Sequence, residues 1–85
     1  SGTTVINETK DVTYIMYPNP ANYESSVIVK ATERIEKIEV VNILGTKVFT
    51  TNSNTIITTD LAKGTYVVNI RFIDGRQADN KLIIE

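Results

Sequence analysis

Cysteine, histidine and tryptophan are all missing from this 85-residue chain. Without cysteine there is no disulfide framework and no thiolate metal site. Without histidine there is no imidazole for acid–base work and no Ser-His-Asp triad. Proline occurs twice and glycine four times, too seldom for a disordered linker. Aromatic residues make up only 7%, which argues against a base-stacking platform. Nine basic residues against ten acidic ones leave a net charge of −1, with no electrostatic footprint for a phosphate backbone. Neither a nucleic-acid partner nor a cofactor is expected. No run approaches the ~18 consecutive apolar residues of a membrane-spanning helix. No charged-then-apolar leader opens the chain, so any signal peptide is expected outside it, and the Ser1-Gly2 start suggests a piece of a longer protein. The missing cysteines suit the cytosol and equally a bacterial envelope protein that needs no oxidative folding.

What is abundant is β-branching: 12 threonines, 12 isoleucines and 9 valines, side chains that suit a pleated, half-buried surface. Hydrophobic residues reach 41%, enough for a packed core in a domain that buries only about 60% of its unfolded surface. Residues 1–12 read as a linker or N-terminal extension that can donate a short first strand. Residues 13–85 read as one domain. Thr13 to Tyr17 is a strand stopped by Pro18-Asn19-Pro20, where two ladder donors are lost. Ser25 to Ala31 alternates, with Val27 and Val29 on one face. Ala31 to Lys37 reads as a charged connection. Glu36 to Leu44 alternates again, with Ile38 and Val40 on one side.

Leu44-Gly45-Thr46 turns the chain into Lys47 to Thr50, with Gly45 supplying a positive φ. Thr55 to Thr58 is a further strand after a polar turn. Asp60 to Gly64 suggests one helical turn with Asp60 as cap and Gly64 as terminator. Thr65 to Phe72 is the clearest strand, with Tyr66, Val68, Ile70 and Phe72 on one face. Asp74-Gly75 is a two-residue hairpin signal, and a last strand ends Lys81-Leu82-Ile83-Ile84-Glu85. About seven short strands separated by turns predict an all-β fold, an immunoglobulin-like antiparallel β-sandwich.

Chemistry-bearing residues are sparse, and an enzyme is not expected. Glu33, Glu36 and Glu39 read as a solvated loop and strand edge rather than a convergent acid cluster. Asp74, Asp79 and Asn80 could offer oxygen ligands to calcium, but their spacing matches no calcium loop. Ser25-Ser26 has no base partner. Asn7-Glu8-Thr9 fits the glycosylation triplet, a pattern that often arises by chance. Tyr14, Tyr17 and Tyr23 gather around the proline turn. They can form an exposed patch for a glycan, or cover an open end of the sandwich with their hydroxyls in water.

Taken together, several segments resemble a known family. They are Tyr17-Pro18-Asn19-Pro20, the run from Ile38 to Val48 (IEVVNILGTKV), Asp60 to Val68 in the pattern L-x-x-G-x-Y-x-V, and the terminal Lys81 to Ile84 after the Gly75 hairpin. In this order they resemble the C-terminal sorting domain of the type IX (Por) secretion system of Bacteroidetes, over about Tyr14 to Glu85. The family's chains often finish on a basic residue, where this one has Glu85.

The resemblance implies a folded secretion signal that takes its parent protein across the outer membrane, with the translocon and a sortase as partners. It also implies cutting in the lead-in, and release of the cargo or its linkage to lipopolysaccharide. The parent would be periplasmic in transit, then on the cell surface or secreted. Translocon recognition is expected at Lys81, Leu82, Ile83, Ile84 and Glu85, because a terminal strand with an unpaired edge accepts a partner strand, and the same edge offers a route to a weak homodimer. Pro18, Asn19, Pro20, Gly45, Gly64, Tyr66 and Gly75 are expected to shape the domain. Two other readings stand beside this one: an immunoglobulin-like adhesive or carbohydrate-binding module, and a permanently retained domain of a secretion-system accessory protein.

Overall fold

The structure is a computed structural model that describes residues 5–9, 12–22, 25–59 and 61–85, with side chains described from Thr13 onward. Among the described residues there are eight strands and no helix. They are β1 (Val5–Thr9), β2 (Val12–Tyr17), β3 (Ser26–Ala31), β4 (Ile35–Asn42), β5 (Lys47–Thr51), β6 (Thr55–Ile57), β7 (Gly64–Phe72) and β8 (Gln77–Ile84). One sheet has the order β1-β2-β3-β6 and the other β5-β4-β7-β8, and every strand pair in them is antiparallel. The expected β-sandwich is therefore present, and its count exceeds seven because the polar lead-in supplies β1.

Period-two patterning decides which residues meet between the sheets. On β7, Tyr66, Val68, Ile70 and Phe72 point inward and are buried, while Val67 points out and remains 43% exposed. Val27 and Val29 of β3, Ile38 and Val40 of β4, and Leu82 and Ile84 of β8 join them. Tyr14, Met16 and Ile56 share a sheet with Val27 and Val29 and with them face the β4, β7 and β8 residues of the other sheet, and Ala21 and Leu61 close the core from the connections. Full burial of an aliphatic or phenyl side chain of this kind contributes about 1.5–3 kcal/mol. A core of this kind has to hold the domain, because the chain contains no cysteine to cross-link it.

Three local expectations are corrected. Ala31 to Lys37 is not one connection: β3 ends at Ala31 and β4 begins at Ile35, leaving only Thr32 to Arg34 between them. Of the charged residues in that stretch, Glu36 and Lys37 sit on β4 outside the buried core, where charge costs little, and Glu33 and Arg34 lie in the connection. No helical turn forms between Thr58 and Gly64 among the described residues; a single Leu61 N–H to Thr58 carbonyl bond of 3.0 Å turns the chain, and Gly64 (φ 153°) opens β7. Asp60, the expected cap, lies outside the described residues. Ile43 and Leu44 do not continue β4 but form the hairpin tip, exposed at 79% and 85%. Asn42 stops the strand there, because its side-chain Oδ1 accepts the Leu44 and Thr46 amides at 2.9 and 3.0 Å.

Candidate recognition surface

The terminal strand β8 lies at an edge of its sheet, paired on one side with β7 from Gln77↔Arg71 to Ile84↔Gly64. Alternation divides its last residues. Leu82 and Ile84 are buried in the core, whereas Lys81 and Glu85 are exposed and Ile83 is partly covered. The expected recognition residues thus present only Lys81, Ile83 and Glu85 to the outside.

The outer edge of β8 is not unpaired, which corrects the premise of free strand addition and of an edge-to-edge homodimer at this point. The proline turn folds across it. Asn19 Nδ2 donates to the Lys81 carbonyl at 2.7 Å, and the Ile83 amide donates to Asn19 Oδ1 at 3.1 Å. One step further on, the Ala21 amide donates to the Ile83 carbonyl and the Glu85 amide donates to the Ala21 carbonyl, both at 2.7 Å. Ala21 and Ile84 form an isolated parallel bridge. An Asn side chain and one backbone residue therefore stand in for a ninth strand over Lys81 to Glu85. Asn19 was legible in the sequence only as a turn residue, and Ala21 carried no signal. Both Pro18 and Pro20 follow cis peptide bonds.

The other residues expected to shape the domain fall where the chain reverses or enters a strand. Gly45 (φ 87°) and Gly75 (φ 93°) occupy the tips of the β4–β5 and β7–β8 hairpins, a conformation open to glycine at little cost. Tyr66 is buried, and its hydroxyl donates to the Ala62 carbonyl, tying the entry of β7 to the turn that precedes it. With Leu61 in the core, this gives the L-x-x-G-x-Y spacing a physical reason: anchor, reversal, then a tyrosine that caps the anchor's neighbour.

Charged groups on the outer faces pair locally. Glu39 lies 2.9 Å from Lys47 and 3.4 Å from Lys37, and hydrogen bonding to Lys47 first, then to Lys37, holds its carboxyl below the usual range. Arg76 holds the Asp74 carboxyl down in the same way at the β7–β8 turn. Glu33 and Glu36 have no part in the Glu39 pairing. Asp79 accepts from Asn69 Nδ2 at 2.5 Å on the outer face, while Asn80 faces inward, so Asp74, Asp79 and Asn80 do not converge. Ser25 Oγ donates to the Asn22 carbonyl at 2.7 Å, a turn contact.

The tyrosine cluster does not form as an exposed patch: Tyr14 is buried between the sheets, and burial together with Asp79 pushes its phenol above the ordinary value. Tyr17 is half-buried, while Tyr23 and the side chain of Asn7 lie outside the described residues.

This architecture defines a small β-sandwich module whose C-terminal strand is latched into the fold. A family model described as the secretion system C-terminal sorting domain matches residues 15–85, and the chain belongs to that family. It is a family of sorting signals of the type IX secretion system of Bacteroidetes rather than of catalysts, and it works with that secretion machinery. Such a signal implies export to the cell surface or secretion across the outer membrane. Among curated proteins, no match was found.

Proposed function

We propose that this domain is read by the outer-membrane translocon as a folded module, after its parent has reached the periplasm, and that reading centres on Lys81 to Glu85. The observation that carries this is the latch. Asn19 and Ala21 bond the Lys81 carbonyl, the Ile83 amide and carbonyl and the Glu85 amide, so this segment is displayed in one geometry only when the sandwich is folded. The side chains of Lys81, Ile83 and Glu85 then form the readable face, while Leu82 and Ile84 hold the strand in place. Residues 1–12 form the lead-in to the domain of residues 13–85, and a surface sortase cuts within it. The released cargo is secreted or joined to lipopolysaccharide.

The test fuses Ser1 to Glu85 to a reporter with an export signal, in a type IX-competent host and in a translocon-null host. Reporter at the surface or in the medium of the first host, and retained in the periplasm of the second, is the expected result. The paired variant Lys81→Ala/Ile83→Thr leaves the buried residues in place. It should fold as the parent does but lose most export, and unimpaired export would remove recognition from this strand.

A further inference from the structure

We propose that the domain carries a second docking site, on the far side of the sandwich from β8: a groove that takes an extended acidic peptide as a strand added to β3. This site is independent of the sorting reading. β6 is only three residues long, and its pairing with β3 ends at Ile28↔Thr55. Beyond that point one bond continues the ladder, from the Val29 amide to the Asn54 carbonyl at 2.8 Å. The chain at Asn52 to Asn54 then swings away toward β5, leaving a groove of about 390 Å³ beside the uncovered end of β3.

The parity of the ladder fixes what faces that groove. Thr32 donates to the Thr13 carbonyl at 3.0 Å on the β2 side, so the even residues of β3 bond to β2 and the odd ones face the other way. The Val29 carbonyl and the Ala31 amide therefore point toward the groove, where β6 no longer reaches. They present an acceptor and a donor at strand spacing, a template for main-chain pairing.

Charge selects the guest. Lys30 and Arg34 line the groove, both exposed, and among the described residues no carboxylate lines it with them. Among the described residues neither cation forms a salt bridge, whereas Lys37, Lys47 and Arg76 all do. Asn52 adds a side-chain amide that makes no hydrogen bond among the described residues. In a guest strand the residue opposite Ala31 bonds to it through its main chain and turns its side chain inward. The residues on either side turn theirs outward, onto the Lys30 face. The matching sequence alternates small apolar residues with carboxylates.

The probe is the peptide acetyl-Glu-Val-Glu-Val-Glu-amide, titrated into the isotope-labelled chain and followed by NMR. Shifts are expected at Val29 to Thr32, at Arg34 and at Asn52 to Asn54, with hydrogen exchange of the Ala31 amide slowed several-fold. The same peptide N-methylated at both valines, which cannot donate to β3, should bind at least tenfold more weakly, as should its lysine counterpart. The double variant Lys30→Glu/Arg34→Glu should lose binding by a similar factor while exchange protection at Val68 and Ile70 is unchanged. If that variant does not fold, Lys30→Gln/Arg34→Gln should still weaken binding several-fold. Equal binding of the N-methylated peptide would reduce the groove to a simple anion site and overturn strand addition. Shifts elsewhere on the domain would overturn the site. Concentration-dependent shifts at Ala31 without peptide would assign the groove to a second copy of the chain instead.

Discussion

The Asn19 amide holds a donor and an acceptor on one planar group, the same pair that a strand residue presents on its main chain. That equivalence lets one side chain satisfy the Lys81 carbonyl and the Ile83 amide together. Asn19→Ala removes both bonds and should lower stability by about 1–2 kcal/mol. Asn19→Asp keeps the acceptor for Ile83 but sets a carboxylate against the Lys81 carbonyl, so it should cost at least as much. Urea unfolding of both variants checks this, and an unchanged midpoint for Asn19→Ala would show that the latch is incidental. Glu39 gives a pH-dependent prediction of definite sign. Its folded pKa is depressed by Lys47 and Lys37, so its stabilising effect is present above the unfolded value of about 4.3 and is lost as pH falls through the lower folded value. In urea unfolding from pH 7 to pH ~2.5, Glu39→Gln should flatten the acid limb below pH ~4.3; parallel curves would mean the pairing contributes nothing.

At the scale of elements, how much the sequence disclosed depended on how local the determinant was. β7 was legible because four inward residues alternate with four outward ones, and the Asp74-Gly75 turn lies close behind. The hairpin at Gly45 was legible for the same reason. The split of Ala31 to Lys37 into two strand ends was not, because charged residues on outer positions look the same in a loop and on a solvated strand face. The closure of β8 was hidden too, since it depends on a partner more than sixty residues away in the chain. Two elements invite direct tests. Gly64 opens β7 at φ 153°, and a Cβ there would meet nothing within 4 Å, so the cost of Gly64→Val is backbone strain alone. A strain of about 1–3 kcal/mol predicts a fall in Tm of at least ~4 °C in a domain of this size. An unchanged melting curve would mean that the strand entry adapts. In β8, Asn80 points into the sandwich with its Nδ2 buried and without a hydrogen-bond partner among the described residues. Asn80→Val replaces that donor with an apolar group and should raise stability by roughly 1 kcal/mol. A loss of stability would show that the amide serves a bond formed only in solution.

For the molecule as a whole, if export is read from a folded module, as proposed, secretion is linked to the folded population, and a small core without cysteines makes that link measurable. Ile56 lies on β6, which packs toward β5, whereas Asn80 lies on β8 at the other edge of the sandwich. Ile56→Ala removes a fully buried side chain and should cost about 2–5 kcal/mol, a large share of a marginal total. A reporter fused to that variant should lose export in step with its unfolded fraction at the growth temperature. Adding Asn80→Val should restore part of it, because well-separated sites at opposite edges act nearly additively. Lys81→Ala/Ile83→Thr predicts the opposite pattern: export lost, folded fraction intact, and no rescue by Asn80→Val. The two responses separate a translocon that tests for folding from one that reads an extended tail. If Ile56→Ala left export unchanged while it unfolded the domain, the terminal residues would be recognised as a linear signal, and the latch would belong to stability alone.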